Sequence, residues 1–112
     1  MDKMTRYRQL IQQVLESYAL AMSRGNQVQL LPVCDMARDQ YLLVSLGWSN
    51  KRREHAIVFH AQLQDGEILL EDDRTETGLS DELIQAGVSA EDIRPMWVPA
   101  SRQADQPFTR AA

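Results

Sequence analysis

The chain has 112 residues, 44% of them hydrophobic, and a formal net charge of −4. This length suits one domain with a modest core, and an acidic chain is repelled by nucleic-acid phosphates unless its cations gather on one face. No apolar run approaches the roughly 20 residues of a membrane helix, the N-terminus lacks a signal-peptide core, and the single cysteine, Cys34, cannot form an internal disulfide. We therefore expect a cytoplasmic protein.

The first predicted element is a long amphipathic helix over residues 4–24. Its apolar side chains recur at spacings of three and four, which is the period of a helix with one buried side. Arg24 followed by Gly25 is a typical C-terminal stop signal. The buried stripe is predicted to consist of Met4, Tyr7, Leu10, Ile11, Val14, Leu15, Tyr18 and Met22.

Four strands are predicted next. The segment "QVQLLPVCD" indicates an edge strand, because Pro32 lacks a backbone donor. The segments "YLLVSLGW" and "EHAIVFHAQL" follow, separated by the polar turn "SNKRR", and the Asp65–Gly66 hairpin signal leads into "EILLED". Because the turns are short, we expect consecutive strands to pair as an antiparallel meander.

Alternation along the strands predicts which side chains face the long helix. On the third strand we expect the helix-facing set to be Ile57, Phe59, Ala61 and Leu63. On the second strand we expect it to be Leu42, Val44, Leu46 and Trp48, with Trp48 buried in the core. Tyr41, Leu43 and Val58 then lie on the opposite face, which the short helix, the tail or a second subunit would cover. We therefore expect a homo-oligomer.

The C-terminal part is predicted to contain one short helix, "LSDELIQAG", which ends at Gly87. "SAED" at 89–92 has the form of a capping box with Ser89 as the cap. The predicted fold class is α+β: a long N-terminal helix packed on a four-stranded antiparallel meander, with a short C-terminal helix. We expect a single domain over 1–112, in which residues 100–112 form either a flexible tail or a segment that packs on a neighbouring subunit.

The residue types that commonly act in catalysis form no recognisable catalytic motif in this sequence. His55 and His60 are five positions apart on one predicted strand, so they fall on opposite faces unless a bulge intervenes. Cys34 has no base assigned to it, and the glycines match neither a Walker loop nor a dinucleotide fingerprint. We expect no catalytic residue, no metal site and no cofactor.

Two polar stretches remain as candidate sites. In "EDDRTETG" at 71–78, alternation separates Glu71 and Asp73 from Asp72, which disfavours the converging carboxylates that a hard cation requires. We therefore predict a structural junction between strand and helix, formed by Arg74, Thr75, Glu76 and Gly78. In "WSNKRREH" the turn is either a solvated hairpin or a contact for a partner or a phosphate backbone, and its cations are Lys51, Arg52 and Arg53.

The order of these segments closely resembles the XisI family, the fdxN element excision controlling factor proteins of cyanobacteria. The resemblance runs over residues 1–97. Its most specific parts are "LGW" at 46–48, with Arg53 after the turn, and "TETGLSDELIQAGVSAEDI" at 75–93. Members of the family have a glycine at the position of Arg74. They also have a histidine near Trp97 that this chain lacks.

The resemblance implies a XisI-like domain that controls site-specific excision of a DNA element, beside a site-specific recombinase and a nuclease-like companion called XisH. It implies no catalytic residue. We therefore expect a non-enzymatic regulatory protein that binds a XisH-like partner. Two alternatives stay open: a direct DNA-binding excision factor that adds Arg6 and Arg8 to the basic turn, and an antitoxin-like inhibitor of the XisH-like neighbour.

Overall fold

The computed structural model describes residues 2–23 and 27–99 and shows a long helix lying across one face of a sheet. The predicted stop at Arg24 and Gly25 and the predicted tail at 100–112 lie outside the described residues. A 3₁₀ turn, Ala90–Asp92, precedes the last strand. The other elements are α1 (Lys3–Ser23), β1 (Val28–Asp35), β2 (Gln40–Ser49), β3 (Arg52–Gln64), β4 (Glu67–Asp73), α2 (Ser80–Ala86) and β5 (Ile93–Pro95).

The sheet extends the predicted meander by one strand. β1 to β4 pair antiparallel in chain order, and Asp65 and Gly66 form the predicted β3–β4 turn with φ values of 52° and 78°. β5 pairs parallel to β4, with Ile93 opposite Ile68. β5 was not predicted, because three residues ending in Pro95 are too short to show alternation. The α+β class is confirmed, and the sheet of the described residues is mixed and five-stranded.

β1 is an edge strand, as Pro32 predicted. On its free edge the backbone N–H of Leu30 donates to the Ser23 hydroxyl at 2.7 Å. Pro32, two positions further on, points its donor-less nitrogen toward the same edge. A side chain from the end of α1 therefore satisfies one edge donor, and the proline removes another.

The core lies between α1 and the inner face of the sheet. Tyr7, Ile11 and Leu15 of α1 are almost completely buried, and the predicted buried stripe is largely confirmed. Leu79 and Leu83, at and within α2, close the C-terminal side of the same core. The sheet and the segments after it supply Tyr41, Leu43, Phe59, Ala61, Leu63, Ile68, Leu70, Val88 and Ile93.

The predicted orientation of β2 was wrong. Tyr41 and Leu43 are fully buried beneath α1, whereas Trp48 is 55% exposed. Both faces of β2 are apolar, so alternation identifies the two sets of side chains but not the one that faces the helix. The inward orientation of Tyr41 is stabilised by a polar contact with α1. On the inner face the Tyr41 hydroxyl donates to Asp39 at 2.9 Å, and Asp39 is paired with Arg8 of α1. The expectation of a second subunit over Tyr41 and Leu43 is therefore also wrong.

A bulge in β3 changes the faces of its first half. Leu43 pairs with Phe59 and Val44 with Ile57, so Val58 is an extra residue in β3. Phe59, Ala61 and Leu63 face the core as predicted, but Ile57 lies on the outer face and is 45% exposed. Alternation alone cannot place such a residue.

Candidate functional site

The basic turn is the tip of the β2–β3 hairpin. Ser49 pairs with Arg52, so the loop contains only Asn50 and Lys51, with φ values of 50° and 67°. Two consecutive positive φ values give the turn the twist that a two-residue hairpin requires. Lys51, Arg52 and Arg53 are all exposed at this tip.

Trp48 lies beside these cations. The Arg53 guanidinium is 5.8 Å from the centroid of the Trp48 ring, and its Nη1 donates to the Gly47 carbonyl at 3.0 Å. Among the ion pairs of residues 2–23 and 27–99, none involves Lys51, Arg52 or Arg53. The hairpin tip therefore offers three cations and an exposed aromatic ring to a partner.

The two histidines share one face, because a bulge, the exception that the sequence prediction allowed, lies between them. Because of the bulge at Val58, His55 pairs with Leu46 and His60 with Leu42, and both partners lie on the outer face. His60 Nε2 lies 2.7 Å from Gln40 Oε1. The described part of the chain holds no group of three or more His, Cys, Asp or Glu side chains arranged to bind a metal ion.

The acidic stretch joins β4 to α2, and Asp73 makes most of its contacts. Asp73 Oδ1 accepts hydrogen bonds from the backbone N–H of Thr75 at 3.1 Å and from the Thr75 hydroxyl. Asp73 Oδ2 accepts from the backbone N–H of Leu79 at 2.9 Å, just before α2 begins. Gly78, with φ 78°, accommodates the bend between them. Sequence reasoning missed the role of Asp73, because its hydrogen bond to the Leu79 N–H spans six residues.

The other acids of the stretch are engaged separately. Glu71 accepts a hydrogen bond from Gln62 at 2.8 Å, and Asp72 pairs with Arg74 at 3.0 Å. The predicted placement of Glu71 and Asp73 on one side was wrong, because the register shifts between His60 and Ala61 and makes Glu71 an extra residue. Glu76 is exposed. The structure therefore places Arg74, Thr75, Glu76 and Gly78 at the strand–helix connection but holds each carboxylate in different surroundings.

Asp73→Ala is expected to lower the free energy of unfolding by about 2 kcal/mol, because the hydrogen bonds that Asp73 accepts from Leu79 and Thr75 are lost together. Glu76→Ala, in the same stretch and exposed, is the matched control and should change stability by less than about 0.5 kcal/mol. Urea denaturation of both variants measures the difference. Equal effects would show that the hydrogen bonds of Asp73 do not stabilise the strand–helix connection.

The "SAED" segment does not form the predicted capping box. Ser89 makes no side-chain cap, and the Asp92 carboxylate instead accepts from the Tyr7 hydroxyl at 2.6 Å and pairs with Lys3 at 2.9 Å. Arg6 of α1 donates to the Gly87 carbonyl at 3.0 Å. Burial by itself raises the pKa of Asp92, but the hydrogen bonds from Tyr7 and Lys3 lower that pKa below its usual value. Asp92 thus ties the C-terminal half to α1.

The arrangement can be compared with known proteins. The family model described as "XisI protein" matches residues 1–107. The chain belongs to the XisI family. A XisI-like protein from Anabaena variabilis ATCC 29413 is 25% identical, with a TM-score of 0.81 over 96% of this chain and 99% of its own. The fdxN element excision controlling factor XisI from the same organism is 34% identical, with a TM-score of 0.73 over 96% of this chain and 97% of its own.

A search of curated proteins gave no significant match. The family expected from the sequence is nevertheless confirmed, and so is its α+β fold. Within the described residues of this XisI-family chain, no helix is long and apolar enough to cross a membrane.

The glycine of "LGW" in this XisI-family chain has a physical reason. Gly47 has φ 143°, and a Cβ added there would lie 2.4 Å from the Gln27 carbonyl oxygen and 2.9 Å from Val28 Cα. β1 therefore approaches β2 at Gly47 more closely than any side chain permits.

Gly47→Ala is expected to lower the free energy of unfolding by at least about 2 kcal/mol, since both the backbone conformation and the neighbouring backbone must change. Gly66→Ala is the control, because its φ is also positive, but an added Cβ would meet only the flexible Lys3 side chain at 3.5 Å. Its cost should be about 1 kcal/mol. Thermal and urea denaturation compare the two, and an equal or smaller loss at Gly47 would contradict the close approach.

Proposed function

We propose that this chain is a non-enzymatic accessory protein that controls site-specific excision of a DNA element by binding a XisH-like, nuclease-fold partner. The observation that carries the proposal is its membership of the XisI family, together with 34% identity to a protein named as an fdxN element excision controlling factor. Excision itself requires a recombinase, beside which this chain would act.

The internal contacts support a binding role. The polar clusters of the described chain hold elements together: Arg8 and Asp39 join α1 to the turn before β2, Tyr7 and Asp92 join α1 to the C-terminal half, and Asp73 binds the Leu79 N–H before α2. The surface instead offers an exposed basic tip and an apolar outer sheet face. Surfaces of this kind serve recognition rather than bond-breaking chemistry.

Co-purification tests the proposed partner. The tagged chain and the XisH-like companion from the same host are co-expressed, and the lysate is treated with nuclease so that DNA cannot bridge them. We expect the companion to be retained, with an affinity in the micromolar range or tighter. The absence of binding by isothermal titration at about 100 µM of each protein would contradict the proposal.

The same pair distinguishes control of excision from an antitoxin-like role. Expression of the companion alone should leave growth unaffected if the chain only regulates excision. Toxicity that this chain relieves would identify it as an inhibitor of its neighbour.

Direct DNA contact is a second candidate function, favoured by the three hairpin cations that have no ion-pair partner among the described residues. Arg8 is paired with Asp39, whereas exposed Arg6 donates a single hydrogen bond to the Gly87 carbonyl. The three adjacent exposed cations of the hairpin tip support it as the principal candidate surface.

Salt-dependent binding tests that second function. Each phosphate contact on duplex DNA contributes about 0.9 to the slope of log K against log salt, so Lys51→Gln with Arg52→Gln should reduce the slope by roughly 2. Arg74→Gln is the control, because Arg74 is exposed but paired with Asp72. The absence of a mobility shift at low salt, or an equal loss in the control, would reject direct DNA binding through the hairpin.

A further inference from the structure

The outer face of the sheet, on the side away from α1, carries a continuous apolar patch. We call it the outer patch, and it consists of Leu31, Val33, Leu42, Val44, Leu46 and Ile57. Leu31, Val44 and Ile57 form one row across three strands, and Val33 and Leu42 form the next. Leu31 and Val33 are each 41% exposed and Ile57 is 45% exposed. The helices of the described chain pack on the other face, so no described element covers the outer patch.

We propose that the outer patch binds the same patch of a second copy of this chain, forming a two-fold symmetric dimer. A two-fold axis brings the same apolar rows of both copies into contact, and two twisted sheets stack face to face with their strand directions within about 30° of each other. An association between copies was expected from the sequence, but on the opposite side of β2. The inward turn of Tyr41 and Leu43 moves the candidate interface to the outer patch.

The charge distribution along the strands favours a second copy of this chain as the binding partner and determines the orientation of that copy. The hairpin tip with Lys51, Arg52 and Arg53 is at one end of β2 and β3, while the chain as a whole has a net charge of −4. Asp65, in the β3–β4 turn, lies at the other end of the strands. A two-fold axis that lies between the two sheets and runs perpendicular to the strands places the basic tip of one copy near Asp65 of the other. An axis along the strands would instead bring two basic tips together, which like charges disfavour.

The polar side chains beside the outer patch are hydrogen-bonded to one another. Gln40 donates to Gln62 at 3.0 Å, Gln62 donates to Glu71 at 2.8 Å, and His60 lies 2.7 Å from Gln40. This polar ladder crosses β2, β3 and β4 beside the outer patch. Because these side chains already hydrogen-bond one another, covering them with a second sheet costs less than covering unpaired groups.

The area of the outer sheet face indicates the affinity expected for the dimer. Four strands of about eight residues cover about 19 by 26 Å, or about 500 Å² in projection. Standard stable interfaces bury about 800 Å² per partner, so this face lies toward the weaker end. We therefore expect a reversible dimer with a dissociation constant in the micromolar range.

Sedimentation velocity from about 1 to 500 µM tests the dimer on the full chain. The dimer fraction should rise with concentration for the wild type. Ile57→Glu and Leu31→Glu, tested separately, should each raise the dissociation constant at least about 10-fold, since they bury unpaired charge in the interface. Leu20→Glu is the matched control, because Leu20 is 76% exposed on α1, away from the sheet face, and it should leave the dimer unchanged. Circular dichroism melts establish that all three variants are folded.

The outcomes separate this proposal from the proposed function. A wild-type monomer at the highest concentration overturns the dimer, and so does a dimer that neither outer-patch substitution weakens. If the wild type is monomeric and the same substitutions abolish binding of the XisH-like companion, the patch belongs to that partner and the proposed function stands. Lys51→Glu with Arg52→Glu should weaken the dimer at low salt, and a stronger dimer would reject the perpendicular axis.

Discussion

Phe59→Ala is expected to lower the free energy of unfolding by about 3–5 kcal/mol, the cost of truncating a large aromatic side chain in a packed core. Phe59 is fully buried where β3 passes beneath α1, opposite Leu43 of β2. Its removal leaves a cavity lined by both the sheet and the helix, which neither can close without moving the other. Urea denaturation at neutral pH measures the loss.

Trp48→Ala is the matched comparison, because it removes a larger ring from an exposed position. We expect a loss below about 1 kcal/mol, since the Trp48 side chain is 55% exposed and its ring contacts the exposed Arg53. The two substitutions together test the orientation of β2 and β3. A loss at Trp48 as large as that at Phe59 would show that the outer side of the sheet is the one that packs in the core.

Asp39→Ala is also expected to have a large effect and should lower the free energy of unfolding by about 2–4 kcal/mol. Arg8 binds both carboxylate oxygens, at 2.8 and 3.0 Å, and the buried Tyr41 hydroxyl donates to the same group at 2.9 Å. Removing the carboxylate leaves the half-buried Arg8 and the buried Tyr41 hydroxyl without their partner. Asp39 also has φ 53°, a conformation that aspartate and asparagine tolerate better than alanine.

Asp39→Asn separates the charge from the backbone conformation, because asparagine tolerates the same φ and can still accept the Tyr41 hydrogen bond. We expect it to cost less than half of the alanine loss. The pKa of Asp39 is held below its usual value chiefly by the Arg8 hydrogen bond. The pair therefore stabilises the protein above the unfolded pKa, and that stabilisation is lost as the pH falls through the lower folded pKa.

The difference in stability between wild type and Asp39→Ala should accordingly be full at pH 7 and should shrink below the unfolded pKa of about 3.9. Urea denaturation at pH 7 and at pH 3 measures it. A gap that does not change with pH would contradict a contribution from the ionised carboxylate.

The order of the elements could be predicted from the sequence because local signals specify it. The 3.6-residue stripe of α1, the Asp65–Gly66 turn and Pro32 in the edge strand each act over a few residues. The predicted meander and α+β class follow from these signals alone. They require no knowledge of which parts of the chain meet in space.

The orientation of the sheet could not be predicted, because it depends on contacts between distant residues. Leu42 and Leu43 are equally apolar, so their side chains do not distinguish the two faces of β2. The inward orientation of Leu43 is supported by Tyr41 on the same face, which donates to Asp39, and Asp39 is paired with Arg8 of α1. The bulge at Val58 then brings Ile57 to the outer face, which strict alternation cannot show.

The candidate site was predicted only in part for the same reason. Lys51, Arg52 and Arg53 could be placed at a hairpin tip, because a two-residue turn between apolar strands is a local pattern. The hydrogen bond between Asp73 and the Leu79 N–H joins residues six positions apart. The hydrogen bond between Tyr7 and Asp92 joins residues 85 positions apart. Their partners become visible only when α1 and α2 are packed on the sheet.

Control of excision is the central claim, and excision in the native host measures it most directly. The gene for this chain is deleted, and the rejoined chromosomal ends of the element are quantified by PCR under conditions that induce excision. We predict that most of the excision is lost in the deletion strain, and that the wild-type chain restores it. Unchanged excision in the deletion strain, with the recombinase present, would contradict the account.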